Sequence, residues 1–399
     1  MIGFDAARLE RIREHFERYV DDGRLPGFLV QIARDGEVAY SASAGRRDIE
    51  ADLPVEEDTL WRIFSMTKPI TSVAAMQLWE EGRFELKDPI ARFLPEFAEP
   101  RVFAGGAMAK VQTLPAVEPI RMWHLLTHTS GLTYGFHHHG AVDALYREAG
   151  HEWGTPPGMD LAACCEQWAG LPLLFQPGTE WNYGVSTDVL GRVVEVIAGQ
   201  PLDEFLAARV LGPLDMSDTA FFAAEADHGR LAALYVPHPE TGLAVRSPAS
   251  ERAQHPPDMC SGGGGLVSTA GDYARFTRML LNGGELDGVR LLGPRTLRLM
   301  TTNQLPGRAD LEAFGRPLFA ETTFDGVGFG LGFSVVEDPV AARYTSSAGE
   351  FGWGGAASTA FWVDREERME VQFFTQLLPS STYPIRSQLH QLVHQALID

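Results

Sequence analysis

The stretch Trp61-Arg62-Ile63-Phe64-Ser65-Met66-Thr67-Lys68-Pro69-Ile70 ends a polar segment and opens an apolar-periodic run, Ile70 to Leu78, that predicts a buried helix. Ser65 and Lys68 stand three apart at the start of that run, on one face and one turn apart. A serine hydroxyl is a weak nucleophile until a neighbouring group accepts its proton. A lysine one turn away can do this when burial or nearby charge holds its amine neutral. The Ser-x-x-Lys spacing therefore suits acyl transfer, but the same residues also suit a helix cap followed by a solvated charge. The rest of the chain decides between them.

At 399 residues the chain is long enough for two or three domains and a full core without staples. With 33 basic and 53 acidic residues, its formal charge of -20 argues against a nucleic-acid or anionic-membrane partner. Met1 to Val20 carries Asp5, Glu10, Glu14 and Glu17 and does not read as a secretory signal. No apolar run reaches membrane-spanning length. Cys164, Cys165 and Cys260 are an odd number, two of them adjacent, so they form no disulfide framework. A cytoplasmic protein with reduced thiols is expected.

Outward from Ser65, the N-terminal part reads as a helix capped by Asp5, with Leu9, Ile12, Phe16 and Val20 as its stripe. Two strands follow, Phe28 to Ala33 and Glu37 to Ala44, joined across Arg34-Asp35-Gly36. Beyond the Ser65 helix come helical or loop segments: Leu86 to Phe97, a loop from Arg101 to Pro119, then helices at Ile120 to Leu126, Met159 to Leu171 and Thr187 to Ile197. Phe136 to Pro157 has little periodicity and holds His137, His138, His139, Asp143 and His151. Adjacent histidines cannot all face one ion, so an exposed polar wall near a site entrance is expected there, and no metal. A short strand is expected within Leu231 to Val236. The run Ser261 to Thr269 lacks a phosphate loop's lysine and predicts close backbone approach, with Ser268 or Thr269 capping a helix from Ala270 to Leu281. Arg295 to Thr301 reads as a further helix. Strands are expected at Phe329 to Val336, Ala357 to Val363 and Met369 to Leu377, and a last helix at Ile385 to Ile398. The resulting class is α/β of the α+β type: residues 1–79 and 258–399 form a split domain with a central antiparallel sheet flanked by the terminal helices. Residues 80–257 form a mainly helical domain, with the site at the interface.

In that layout four segments resemble the serine β-lactamase and penicillin-binding protein superfamily, most closely the class C β-lactamase fold and its family VIII carboxylesterases. They are Ser65-Met66-Thr67-Lys68, Leu125 to Leu132, Pro177 to Tyr183, and Gly264 to Asp272. The resemblance implies that Ser65 attacks an acyl carbon while Lys68 and Tyr183 move the proton, either of the two being the base. It also implies an oxyanion hole from the backbone N–H groups of Ser65 and Ala356. Two positions depart from the lactamase pattern. Val185 replaces an asparagine, and Trp353-Gly354-Gly355 replaces Lys-Thr-Gly. The lost lysine would have fixed a substrate carboxylate, whereas tryptophan offers an apolar face and one donor, which suits a neutral ester. Gly354 and Gly355 let the backbone come close to substrate, or mark a bulge in an edge strand.

The expectation is thus a carboxylesterase for small neutral esters, with Trp353, Gly354, Gly355 and Val185 lining its pocket and no cofactor. The alternatives are β-lactam or D-amino-acid peptide hydrolysis, acyl transfer to an alcohol or amine, and a catalytically silent binding protein of the same fold. Gly184-Val185-Ser186-Thr187-Asp188 falls one glycine short of a nucleophile elbow, which leaves Ser186 the weaker candidate.

Overall fold

The computed structural model describes residues 3–107, 110–316 and 323–398. Helix α1 (Ala6–Asp21) starts where the Asp5 carboxylate accepts the Arg8 N–H, and it buries Leu9, Ile12, Phe16 and Tyr19. Tyr19, one residue short of the expected Val20, completes its stripe. Strands β1 (Gly27–Arg34) and β2 (Glu37–Asp48) are joined by Asp35 and Gly36 at φ 53° and 83°. Positive φ at both central residues is the turn that matches strand twist.

A short β3 (Leu53–Pro54) ends one edge of the sheet, and the C-terminal part supplies the rest. Those strands are β4 (Val327–Phe329), β5 (Ser334–Val336), β6 (Phe351–Gly354), β7 (Ala360–Asp364) and β8 (Met369–Phe374). The eight strands run in the order β4-β5-β6-β7-β8-β1-β2-β3. Every neighbouring pair is antiparallel, with Leu29 opposite Phe374 and Phe351 opposite Val363.

Two expectations are corrected here. The single strand expected at Phe329 to Val336 is a hairpin, because Gly332 at φ 95° turns the chain between β4 and β5. The strand carrying Trp353 and Gly354 lies inside the sheet, between β5 and β7, rather than at an edge.

Helix α2 (Thr67–Glu80) follows a single 3₁₀ turn, Phe64–Met66, and every residue from Thr67 to Leu78 is buried. A helix buried on all sides belongs in a core, and α2 packs against α3 (Ser186–Ala198). Helix α4 (Ala270–Leu281) is capped by Thr269, as expected, and closes one face of the sheet through Tyr273 against Phe361 and Phe374. Helix α1 and the terminal α5 (Ile385–His394) cover the other face, with Phe16, Phe28, Phe373 and Leu389 between them. Successive residues of each strand therefore meet different helices.

Elsewhere, Arg101–Gly105 and Gln112–Pro115 pair as a ribbon within the stretch expected to be loop, of which residues 108–109 lie outside the described residues. A helix, Ala141–Glu148, stands in the segment that showed little periodicity. The strand expected near Leu231 is Tyr235–Pro237, and the last helix ends at His394. Among the described residues no helix is long and apolar enough to cross a membrane.

Candidate active site

The start of α2 fixes Ser65. Phe64 sits at φ 44°, a left-handed conformation that costs a non-glycine residue of order 1–3 kcal/mol. Ser65 is half-buried and Lys68 is 1% exposed, so the amine has left bulk water and its contacts decide its state. Lys68 Nζ lies 3.2 Å from Ser65 Oγ, 3.0 Å from the Tyr134 hydroxyl and 2.7 Å from the Gly263 carbonyl. It also stands 4.4 Å from the centre of the Tyr183 ring.

The Gly263 carbonyl is aimed by a residue of α3. Asp188 Oδ1 accepts the Gly263 N–H at 3.0 Å and the Ser261 hydroxyl at 2.5 Å. A side chain at Gly263 would collide with that carboxylate, which is the close approach expected of this glycine run.

Tyr183 is buried, and its hydroxyl accepts the Trp353 indole N–H at 3.1 Å. Its ring face meets Lys68, while its hydroxyl is turned towards β6. Tyr134 instead places its hydroxyl on Lys68, a contact the sequence reading missed. Burial, with the Asp188 carboxylate and the Tyr183 phenol adding to it, holds the Tyr134 phenol well above its ordinary pKa, so it stays protonated. His128 packs against Tyr183 at 5.0 Å, and burial, aided by the charge of Lys68, keeps its imidazole well below the usual range and neutral. His137 is buried rather than part of an exposed wall, and its Nε2 donates to the Tyr183 carbonyl at 2.7 Å. His138 is exposed and meets Glu152.

On the facing side, Gly355 brings β6 against the Ile63 carbonyl, and a Cβ there would strike both that oxygen and Thr359. Gly354 has the Arg386 guanidinium where a Cβ would point. Among the described residues the N–H groups of Ser65 and Ala356 have no acceptor within the chain. Both residues line a cavity of about 1000 Å³, as do Tyr134, Tyr183, Val185 and Trp353. Ser186 does not line it: it is buried, with its Oγ 2.8 Å from that of Ser130.

A serine hydroxyl, a buried amine and two N–H groups without an acceptor thus share one aromatic cavity in this fold. The Beta-lactamase family model matches residues 12–395. This chain belongs to the Beta-lactamase family. Protein Rv1367c of Mycobacterium tuberculosis is 38% identical over 90% of this chain and 88% of its own length. Esterase EstB of Burkholderia gladioli is 36% identical over 93% of this chain and 90% of its own. Among solved structures, EstCE1, described as a hydrolase with promiscuous acyltransferase activity, superposes with a TM-score of 0.80 at 28% identity, covering 98% of each chain.

Proposed function

We propose that this member of the Beta-lactamase family is a serine carboxylesterase that cleaves small neutral esters through an acyl-enzyme on Ser65. The observation that carries the proposal is the 3.2 Å approach of the buried Lys68 amine to Ser65 Oγ. The Gly263 carbonyl can only accept, so it takes one amine hydrogen, and the Tyr134 oxygen takes a second. In its neutral form the amine can then turn its lone pair to Ser65 and act as the base. Ser65 Oγ attacks the acyl carbon as its proton passes to Lys68, and the N–H groups of Ser65 and Ala356 receive the oxyanion. The alcohol leaves with a proton from Lys68 or from Tyr183, whose hydroxyl the Trp353 N–H orients. Water then enters by the reverse path and frees the acid. This cycle requires no metal or organic cofactor.

Esterase EstB and EstCE1 support hydrolase or acyltransferase chemistry for this chain. The apolar walls supplied by Trp353, Val185 and Phe136 support a neutral substrate. Acyl transfer to an alcohol is the second reading, because a cavity of about 1000 Å³ leaves room for an acceptor beside the acyl group. The same proposal takes residues 1–79 and 258–399 as one domain, 80–257 as the other, and the site as lying between them. It also takes the protein as cytoplasmic, which its free Cys164, Cys165 and Cys260 support.

The deciding experiment combines a p-nitrophenyl ester panel with a chromogenic cephalosporin and a serine-reactive phosphonate read by peptide mass. Ester turnover with the adduct on Ser65 is expected. An adduct on Ser186 would refute the assignment, and no adduct with no turnover would leave a silent binder. Product analysis in added methanol separates hydrolysis from transfer.

A further inference from the structure

The face of β6 and β7 turned away from Ser65 carries a second cluster. Phe351 and Val363 are partners across these strands, so Glu350 and Asp364 come next on the opposite face, towards α5. On α5, Arg386, His390 and His394 are spaced by four and form one stripe over that face. The Trp362 indole lies 3.8 Å from the His390 ring and stacks on it. Glu350, Asp364 and His394 each place one possible ligand atom within 4.8 Å of the others, and each keeps one atom unoccupied, Glu350 Oε2, Asp364 Oδ2 and His394 Nε2. Glu350 is 3% and Asp364 0% exposed, and the His394 side chain is 9% exposed. Among the described residues none of these three atoms has a hydrogen-bond partner.

The other atoms of these side chains are occupied in a way that frees those three. Asp364 Oδ1 accepts the N–H groups of Glu366 and Glu367. His390 faces acceptors with both nitrogens, the Arg386 carbonyl at 3.0 Å and Glu350 Oε1 at 2.8 Å. His394 Nδ1 faces the His390 carbonyl at 2.9 Å and must carry a hydrogen there. Its Nε2 is left with the lone pair, and at 4.0 Å from Glu350 Oε2 it makes no hydrogen bond. An imidazole locked by a backbone carbonyl with its other nitrogen free is how a protein presents histidine to a metal.

We infer that Glu350, Asp364 and His394 form a binding site for one divalent cation of the zinc type, between β6, β7 and α5, where Glu350 and His390 also line a far wall of the cavity that holds Ser65. One imidazole and two carboxylates suit zinc better than the all-oxygen shells of calcium or magnesium. Ligands about 2.1 Å from one tetrahedral ion stand about 3.4 Å apart, so the Glu350–His394 pair, 4.0 Å apart, closes by about 0.6 Å and the others by at most about 1.4 Å. The ion ties α5 to β6 and β7 and takes no part in the chemistry at Ser65. The histidine run His137 to His139, where a metal was considered and rejected from sequence, is a different place.

The test uses the untagged full chain, stripped with a chelator and titrated with ZnCl2 against a chromophoric competitor, with Co2+ absorption as a spectroscopic check. One equivalent of Zn2+ per chain is expected, with a raised melting temperature and Co2+ d–d bands. Asp364→Asn keeps the shape and the acceptor for Glu366 and Glu367, and should bind at least about 100-fold more weakly. His394→Ala should do the same, while the surface pair His138→Ala and His139→Ala should bind as the parent does. No uptake by the parent chain would overturn the inference. So would equal uptake by Asp364→Asn and the parent, or loss of uptake only in the surface variant.

Discussion

Tyr134→Phe tests the proton path most sharply, because it deletes one atom from the Lys68 environment and leaves the ring in place. That ring stacks on Phe136 at 4.7 Å and meets Tyr183 edge-on at 5.4 Å, so its packing survives. The buried amine has three polar neighbours that can take its hydrogens, and the phenol oxygen at 3.0 Å is one of the two besides Ser65. Without that oxygen the second hydrogen turns to Ser65 Oγ, and the lone pair is drawn away from the proton it must accept. A hydrogen bond to a charged or charging group contributes about 1.5–3 kcal/mol. At 1.36 kcal/mol per decade, kcat should fall by roughly 10- to 150-fold, with KM for p-nitrophenyl butyrate little changed. The phosphonate labelling rate should fall in parallel, since acylation needs the same proton transfer. Unchanged melting would separate this from a folding defect. Turnover within threefold of the parent, with the fold intact, would refute the role of Tyr134 and with it the orientation argued for the amine.

Further outcomes follow from the same geometry. Ser65→Ala should abolish ester turnover while Ser186→Ala, which loses only its bond to Ser130, keeps most of it; matched steady-state assays decide. Tyr183→Phe should lower kcat/KM by about 100-fold or more if its hydroxyl delivers the leaving-group proton, and near-parental turnover would remove it from the mechanism. Short p-nitrophenyl esters should exceed benzylpenicillin in kcat/KM, because a carboxylate desolvated against Trp353 has no partner; a penicillin turned over equally well would reverse that. Acid should destabilise the fold through His124, whose pKa burial first, and the Arg121 charge second, lower to about 4. Its neutral ring is favoured by folding, so this stability is whole above pH 6.5 and is lost as pH falls towards 4, about 3 kcal/mol in all. Melting temperature against pH should therefore fall less steeply in His124→Gln than in the parent, and parallel curves would rule His124 out.

Local signals made the fold legible. The Asp35-Gly36 turn, the stripe of α1 and the apolar-periodic run of α2 each need only neighbouring residues to be read, and each stands where it was expected, but for Tyr19 in place of Val20. What failed had non-local causes. The ribbon Arg101–Gly105 and Gln112–Pro115 has little apolar periodicity, and Val102 gains burial from the chain near Leu173. The position of β6 inside the sheet follows from strand pairing that Trp353-Gly354-Gly355 does not announce. Ser65 and Lys68 were visible because one helical turn joins them. Tyr134 and the Gly263 carbonyl reach Lys68 across 66 and 195 residues of chain, so no spacing rule could bring them there.

Strand β6 explains why its residue choices look irregular from sequence and necessary in three dimensions. Its period of two sends Trp353 to the Ser65 cavity and Gly354 to α5. On the first side, an indole supplies both a wall and the N–H that holds the Tyr183 hydroxyl, two tasks a lysine there could not combine. On the second side, the missing side chain of Gly354 admits the Arg386 guanidinium, which donates to the Gly355 carbonyl at 3.1 Å. The next N–H along the chain is that of Ala356. Helix α5 thus bonds to the same peptide unit whose N–H is the donor proposed for the oxyanion, although none of its own atoms need touch substrate. A Gly354→Ala change should consequently reduce kcat more than KM by displacing Arg386 and tilting that peptide, whereas Arg386→Lys should give a milder loss of the same kind. If Gly354→Ala raised KM alone, the strand would be acting as a binding wall and the link from α5 to the oxyanion donor would fail.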